Sequence, residues 1–421
     1  MERNVYRSIF EIYPRKSHLR VAEAVGRAAP IDPQVEDPKE SCCSCTMDFL
    51  EESGFCPSTG IFYSKWDSPP FPQSPFLSLP SYLLSLTSHM LSKPAYIDAH
   101  SGAGLSYGDL RMLAASVAAA LHALGIMKGD VVLVVCPNSL HFPSLVLGVM
   151  SIGAIFSTAN PLNTRQEIQT QAQDSSPVLI IAAQELEPKL DGLTSRPVLL
   201  VEEFLDGLMR NPLPPACKPP HVQVSQGDTA ALMYSSGTTG KSKAVVCSHR
   251  TLIAMSCQLR HVWTAEGAHP ACDEVYLCVV PLFHMFGLSV FVCGTLSVGS
   301  TAVILGKYAL EEMLVGVEEY GVTRLPAVPP MVVQMLRMAD VAKTYDLGSL
   351  KEVICSGAPL GKEHMERFAK CFPRTMLSQV KFSFHFILSQ VFEVGIYVVA
   401  VNVAVGCTHS YHFFISWVMN Q

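Results

Sequence analysis

Charge is sparse in this chain. Charged residues make up 16% of 421 positions, and the formal net charge is −6. There is no long basic stretch, which argues against nucleic acid as a main partner, because backbone-phosphate binding needs clustered Lys and Arg. Internal repeats and low-complexity tracts are also missing, so a solenoid is not expected. The 14 cysteines lack zinc-like pairing: Cys42-Cys43-x-Cys45, with Cys56 nearby, has no second pair and no histidines at ligand spacing. Cys278, Cys293 and Cys355 instead lie inside apolar runs, as free thiols do in a reducing compartment such as the cytoplasm. The start of the chain has no hydrophobic core of a secretory signal. The acids Glu2, Glu11, Glu23, Asp32, Glu36 and Asp37 interrupt what would otherwise be an arginine-rich transit composition. Residues 1–52 are therefore expected to be a poorly ordered extension.

What the chain does have is apolar material, 49% of its residues, enough for more than one buried core at this length. Ala114–Leu124 is a run of small residues that predicts a helix capped by Gly125. Val131–Val135 is an unbroken β-branched and apolar run, the mark of a strand covered on both faces. Leu140–Ile152 predicts a helix ending near Gly153, and Pro177–Ala182, Pro197–Glu202 and Thr301–Leu305 predict strands. Strands alternating with helices imply an α/β fold of parallel sheets flanked by helices. Asn211–Pro220 is a proline-rich linker. Residues 380–421 form a divergent hydrophobic tail. Within it Val391–Cys407 is at the lower edge of a bilayer-spanning length and carries Glu393 and Asn402, so a membrane helix is not favoured.

The densest chemistry lies in Tyr234-Ser235-Ser236-Gly237-Thr238-Thr239-Gly240-Lys241-Ser242-Lys243, directly after the apolar run Ala230–Met233. The glycines let backbone N–H groups close around an anion. The hydroxyls of Ser235, Ser236, Thr238 and Thr239 add donors, and Lys241 and Lys243 add positive charge. The usual P-loop spacing fails, because Ser235 stands where its first glycine belongs. The alternative for such a segment is a Ser/Thr/Gly-rich surface turn; ten ordered positions favour polyphosphate binding.

This segment resembles the signature loop of the adenylate-forming acyl-CoA synthetase family. Further segments match that family in order. Val280-Pro281-Leu282-Phe283-His284-Met285-Phe286-Gly287 resembles its acyl-pocket segment, and Cys355-Ser356-Gly357-Ala358-Pro359-Leu360-Gly361 resembles its turn between adenine and acyl group. Gly54-Phe55-Cys56-Pro57, Phe62-Tyr63-Ser64, Gly125–Val131 and Pro137-Asn138-Ser139 are similar to plant 4-coumarate–CoA-ligase-like proteins. The resemblance covers residues 53–379 and implies the large N-terminal adenylation domain of that family.

It also implies roles. Ser235, Ser236, Gly237, Thr238, Thr239 and Lys243 would grip the phosphates of ATP, with Gln379 at the pocket floor. His284 and Phe286 would shape the acyl pocket, Gly357 and Ala358 would flank adenine, and Lys307 would bind coenzyme A. Each has a plainer alternative: a core histidine for His284, a solvated strand end for Lys307, a simple turn for Gly357-Ala358. The implied activity is an acid–thiol ligase using ATP, Mg2+ and coenzyme A. Its acid would be a hydroxycinnamate, a fatty acid or a jasmonate precursor.

The chain also departs from the family. Relatives continue after Leu377-Ser378-Gln379 into Gly-Tyr-Gly-x-Thr-Glu, whose Glu helps hold magnesium, whereas here Val380-Lys381-Phe382-Ser383 follows. The ribose-binding aspartate and the small C-terminal domain with its catalytic lysine are not found either. Ala244 stands where relatives carry glycine. The change at 379 reads as a read-through or an alternative transcript end. Three readings stay open at this point: a ligase, a catalytically silent isoform that only binds ATP or acyl substrate, and a tail-anchored non-enzymatic product.

Overall fold

The computed structural model describes residues 55–56, 61–62, 69–210, 222–235, 243–265, 270–384 and 396–402. Apart from a small antiparallel pair, β1 (Phe55–Cys56) and β2 (Ile61–Phe62), the strands form two sheets. The expected α/β architecture of parallel sheets flanked by helices is present.

The six-stranded sheet has the order β10-β9-β6-β5-β7-β8. It contains β5 (Val131–Val135), β6 (Ile155–Thr158), β7 (Leu179–Ala182), β8 (Leu199–Leu200), β9 (Thr229–Ser235) and β10 (Lys243–Ser248). All pairs are parallel except β9 with β10, which run antiparallel with Lys243 opposite Ser235. Every residue of β5 is buried, as its unbroken apolar run predicts.

The eight-stranded sheet has the order β16-β15-β14-β13-β11-β12-β3-β4. Its strands are β3 (Pro94–Asp98), β4 (Gly104–Ser106), β11 (Val275–Cys278), β12 (Thr301–Ile304), β13 (Arg324–Ala327), β14 (Glu352–Cys355), β15 (Met376–Phe384) and β16 (Ile396–Asn402). From β15 across to β3 the pairs are parallel; β16 and β4 close the two edges antiparallel. β15 runs without a break through position 379, and Gln379 pairs with Cys355 on one side and Val401 on the other. The described part of the apolar stretch Val391–Cys407 is therefore strand. Among the described residues no helix is long and apolar enough to cross a membrane.

Several boundaries differ from the sequence expectation for visible reasons. Helix α1 (Tyr107–Ala123) begins upstream of Ala114, because Ser106 and Asp109 exchange capping-box hydrogen bonds and Tyr107, Leu110 and Leu113 extend its buried face. It ends as expected, with Gly125 at φ +79. Helix α2 (Phe142–Ser151) packs on α1 so closely that a Cβ on Gly148 would lie 2.3 Å from Val117 Cγ1. The strand expected over Pro197–Glu202 is corrected: only Leu199–Leu200 is extended, and Val201 opens helix α3 (Val201–Arg210). Glu202 and Glu203 in its first turn favour the helical start, while Val201 and Leu205 bury its inner face. The free cysteines Cys136, Cys247, Cys257, Cys278, Cys293 and Cys355 are buried, in line with their apolar settings.

Candidate functional site

Parallel strands deliver all their carboxyl ends to one edge of a sheet, and ligands of open α/β sheets bind at that edge. The residues singled out in the second half of the sequence gather there. Pro281–Gly287 follows β11, Lys307 follows β12, Gly357 and Ala358 follow β14, and Gln379 lies in β15 beside Cys355. On the other sheet Ser235 ends β9 with Lys243 across the ladder. Ser236, Gly237, Thr238 and Thr239, in the connection between those strands, lie outside the described residues, as do Lys241 and the linker Asn211–Pro220.

His284 is exposed and caps a short helical turn, Met285–Leu288, that leads into a π-helical turn, Ser289–Gly294. Its Nδ1 accepts the Phe286 N–H at 3.2 Å. That bond assigns the neutral tautomer with Nε2 as a free donor. Burial of part of the ring holds its pKa below the ordinary 6.5, so the imidazole is neutral at pH 7. Phe286, in contrast, is 4% exposed and sits in the core behind this loop. Gly287 is required sterically: a Cβ there would lie 2.1 Å from the Pro281 carbonyl oxygen. The loop therefore doubles back against its own helix.

Beyond β14 the backbone turns at Gly357 with φ +88, a conformation that favours glycine. Gly357 and Ala358 are exposed and carry little bulk, so a planar group can lie against the turn. Ser356 beside them is 1% exposed, and its Oγ has no hydrogen-bond partner. A buried orphan hydroxyl at a strand's carboxyl end is a donor awaiting an acceptor. Lys307 is exposed, and no ion pair among the described residues engages it. Gln379 is half-buried.

The two sheets meet at these ends. Asn138, just past β5, donates from Nδ2 to the carbonyls of Val280 (3.0 Å) and Leu305 (3.3 Å), and its Oδ1 accepts the Leu282 N–H at 2.7 Å. Thr158, the last residue of β6, donates to the Phe283 carbonyl at 2.7 Å. The Tyr234 hydroxyl, at the root of the glycine-rich segment, reaches Asp174 (2.8 Å) and the Gln171 carbonyl (3.2 Å) on helix α4 (Arg165–Ser175). Sequence reasoning noticed Pro137-Asn138-Ser139 as a resemblance but missed these functions. The available signal was an amide residue soon after a fully apolar strand.

Sequence reasoning also missed an ion cluster at the opposite edge. Arg324 opens β13 and pairs with Glu352 at the start of β14. Its Nε lies 3.6 Å from Glu274, and Lys351 reaches the same Glu274 at 2.9 Å. Ser378 donates to Glu352. Burial alone would raise the Glu274 pKa, but hydrogen bonds from Thr323 and Lys351 and the charge of Arg324 pull it below the ordinary 4.5.

The donor set at the carboxyl edge fits a nucleotide: the orphan Ser356 hydroxyl, the unhindered Gly357-Ala358 turn and the half-buried Gln379 amide. Among the described residues no group of three His, Cys, Asp or Glu gathers to hold a metal ion. Magnesium commonly arrives on substrate phosphates with most of its waters, so a dedicated protein cage is not needed for it.

Two largely parallel sheets that meet at their carboxyl ends through Asn138 and Thr158 make the fold of the large domain of the adenylate-forming enzymes. The N-terminal domain of FACL13 from Mycobacterium tuberculosis superposes with a TM-score of 0.64 at 23% identity, covering 72% of this chain and 75% of that one. A long-chain-fatty-acid-CoA ligase (FadD1) from Archaeoglobus fulgidus gives 0.67 at 22% identity, covering 76% and 67%. The chain belongs to the AMP-binding enzyme family, whose model matches residues 85–380. It is 43% identical over 344 residues to a putative 4-coumarate–CoA ligase-like 8 of Oryza sativa subsp. japonica, covering 78% of this chain and 56% of the relative. It is 41% identical over 337 residues to a peroxisomal OPC-8:0-CoA ligase 1 of Arabidopsis thaliana, covering 78% and 61%. The chain thus spans well under two thirds of these relatives' length.

Proposed function

We propose that this chain is an acid–thiol ligase of the 4-coumarate–CoA-ligase-like type. The observation that carries the reading is the gathering of His284, Lys307, Gly357-Ala358 and Gln379 at one sheet edge, beside the hairpin that holds the Tyr234–Lys243 segment. Bound ATP supplies the adenylyl group that a carboxylate accepts as pyrophosphate leaves, and coenzyme A thiol then displaces AMP. Lys243 and the hydroxyls of Ser235, Ser236, Thr238 and Thr239 would hold the phosphates, with Gly237 allowing the backbone to approach. Charge stabilisation on the phosphoryl oxygens is the main catalytic term in such transfers. Gly357 and Ala358 would face adenine, with the Ser356 hydroxyl and Gln379 offering hydrogen bonds at the pocket floor.

The neutral His284 ring would present its Nε2 donor to the acid, with Phe286 packing behind it. Lys307, exposed past β12, offers a cation for coenzyme A phosphates. Hydroxycinnamates, fatty acids and jasmonate precursors are the acids we put forward. The buried free thiols support a reducing, cytoplasmic setting.

A second reading, a chain that binds ATP or acid without turning them over, is supported by one observation. β15 continues as paired strand through Phe384, and no acidic residue occurs between Gln379 and Glu393 that could help hold magnesium. Pyrophosphate release by the purified chain, with ATP, magnesium and a panel of aromatic and fatty acids, separates the two. Acid-dependent release supports the ligase. No release with ATP or acid binding intact gives the binding-only chain, and binding of neither removes both readings.

A further inference from the structure

The loop that carries His284 is held chiefly by side chains from the other sheet. In the span 280–283 the Val280 carbonyl, the Leu282 N–H and the Phe283 carbonyl are all taken by Asn138 and Thr158. Asn138 also ties the Leu305 carbonyl, two residues before Lys307. Behind the loop, the contact of Gly287 with the Pro281 carbonyl blocks retreat toward the helix. The anchors are themselves tied to the glycine-rich segment. Thr158 accepts a hydrogen bond on its carbonyl from Gln171, whose own carbonyl takes the Tyr234 hydroxyl.

We propose that Thr158 and Asn138 are positioning residues that register the His284 loop against the sheet bearing the glycine-rich hairpin, and so decide which carboxylic acid fits. The proposal rests on the reading of that loop as the acyl-pocket wall. Neither residue need touch the acid. Asn138 acts through Val280 and Leu282 and Thr158 through Phe283, so a change in either moves the wall while leaving the nucleotide's own contacts in place. A purely structural anchor would instead lower stability and weaken all ligands alike.

The test compares wild type, Thr158→Val, Thr158→Ser and Asn138→Ala by calorimetric titration with ATP, 4-coumaric acid and straight-chain fatty acids of increasing length. An NMR pH titration of the His284 imidazole runs alongside. Thr158→Val, which keeps the volume and removes the hydroxyl, is expected to weaken the preferred acid about tenfold and to flatten discrimination between chain lengths, the effect of one lost hydrogen bond. ATP affinity should stay within about twofold. Thr158→Ser should restore the wild-type preference. In Thr158→Val and Asn138→Ala the His284 pKa should climb back toward 6.5 as the loop loosens.

An unchanged acid ranking together with an unchanged His284 titration overturns the proposal. If the wild type binds none of the acids, the ligase reading fails. The His284 titration then decides the positioning role alone, with Thr158→Val as the folded variant should Asn138→Ala not fold.

Discussion

The two edges of the eight-stranded sheet use polar groups in opposite ways. At the amino edge Glu274, Arg324, Lys351, Glu352 and Ser378 consume one another's charges and hydrogen bonds, and the Glu274, Arg324 and Glu352 side chains are no more than 12% exposed. At the carboxyl edge Lys307 and Gly357-Ala358 are exposed, and the Ser356 hydroxyl has no partner. One edge pairs its charges with one another, although Glu274 Oε2 and Arg324 Nε make no hydrogen bond, and contributes stability. The other keeps them available and contributes function, as parallel α/β sheets do when they bind at their carboxyl ends.

Substitutions at each edge can break this contrast. The largest effect is expected from Arg324→Ala, which leaves the buried Glu352 with no cation and only the Ser378 hydroxyl, and Glu274 with Lys351 alone; it should cost about 3 kcal/mol in urea denaturation. ATP affinity of the folded fraction should not change; a loss of affinity in step with stability would erase the distinction between the edges. Lys243→Ala, at an exposed position opening β10, should do the reverse. ATP binding by calorimetry should weaken about tenfold, in keeping with a charged hydrogen bond, with the melting temperature unchanged. Unchanged ATP affinity would remove the phosphate assignment of the hairpin.

Acid should sharpen the contrast more gently. Because the folded-state pKa of Glu274 lies below 4.5, the folded protein holds this carboxylate ionised where the unfolded chain takes up a proton. Its contribution is therefore complete above pH 4.5 and is lost as pH falls through the folded value. Glu274→Gln should give a shallower acid limb in a pH series of melting curves. A limb as steep as wild type would assign acid sensitivity to other carboxylates. The smallest effect is expected from Lys362→Ala, which removes an exposed pair with Glu366 at 3.7 Å on helix α5 (Lys362–Cys371). Neither stability, by more than about 0.5 kcal/mol, nor ATP affinity should move.

Much of this was legible along the chain. The apolar run Val131–Val135 announced a fully buried strand, and the glycine-rich segment after Ala230–Met233 announced a turn leaving a strand. Both signals are local, since they depend on which residues are neighbours in sequence. Val201 and Glu202 were misread as strand because an apolar pair entering an acidic first turn looks the same in either element until one face is packed. How deeply Phe286 is buried, 4% exposed, was not legible in its segment, because that depends on what packs behind the loop.

The amino-acid sequence by itself determined most element types, the family and the short segments that carry the chemistry, because periodicity, glycine placement and motif order are properties of contiguous residues. Only the tertiary structure decided which of those segments meet. Arg324 finds Glu274 and Glu352, and Asn138 finds Val280, Leu282 and Leu305, across separations that no local pattern encodes. Those pairings follow from strand order, which is settled by how the two sheets bury their apolar faces together.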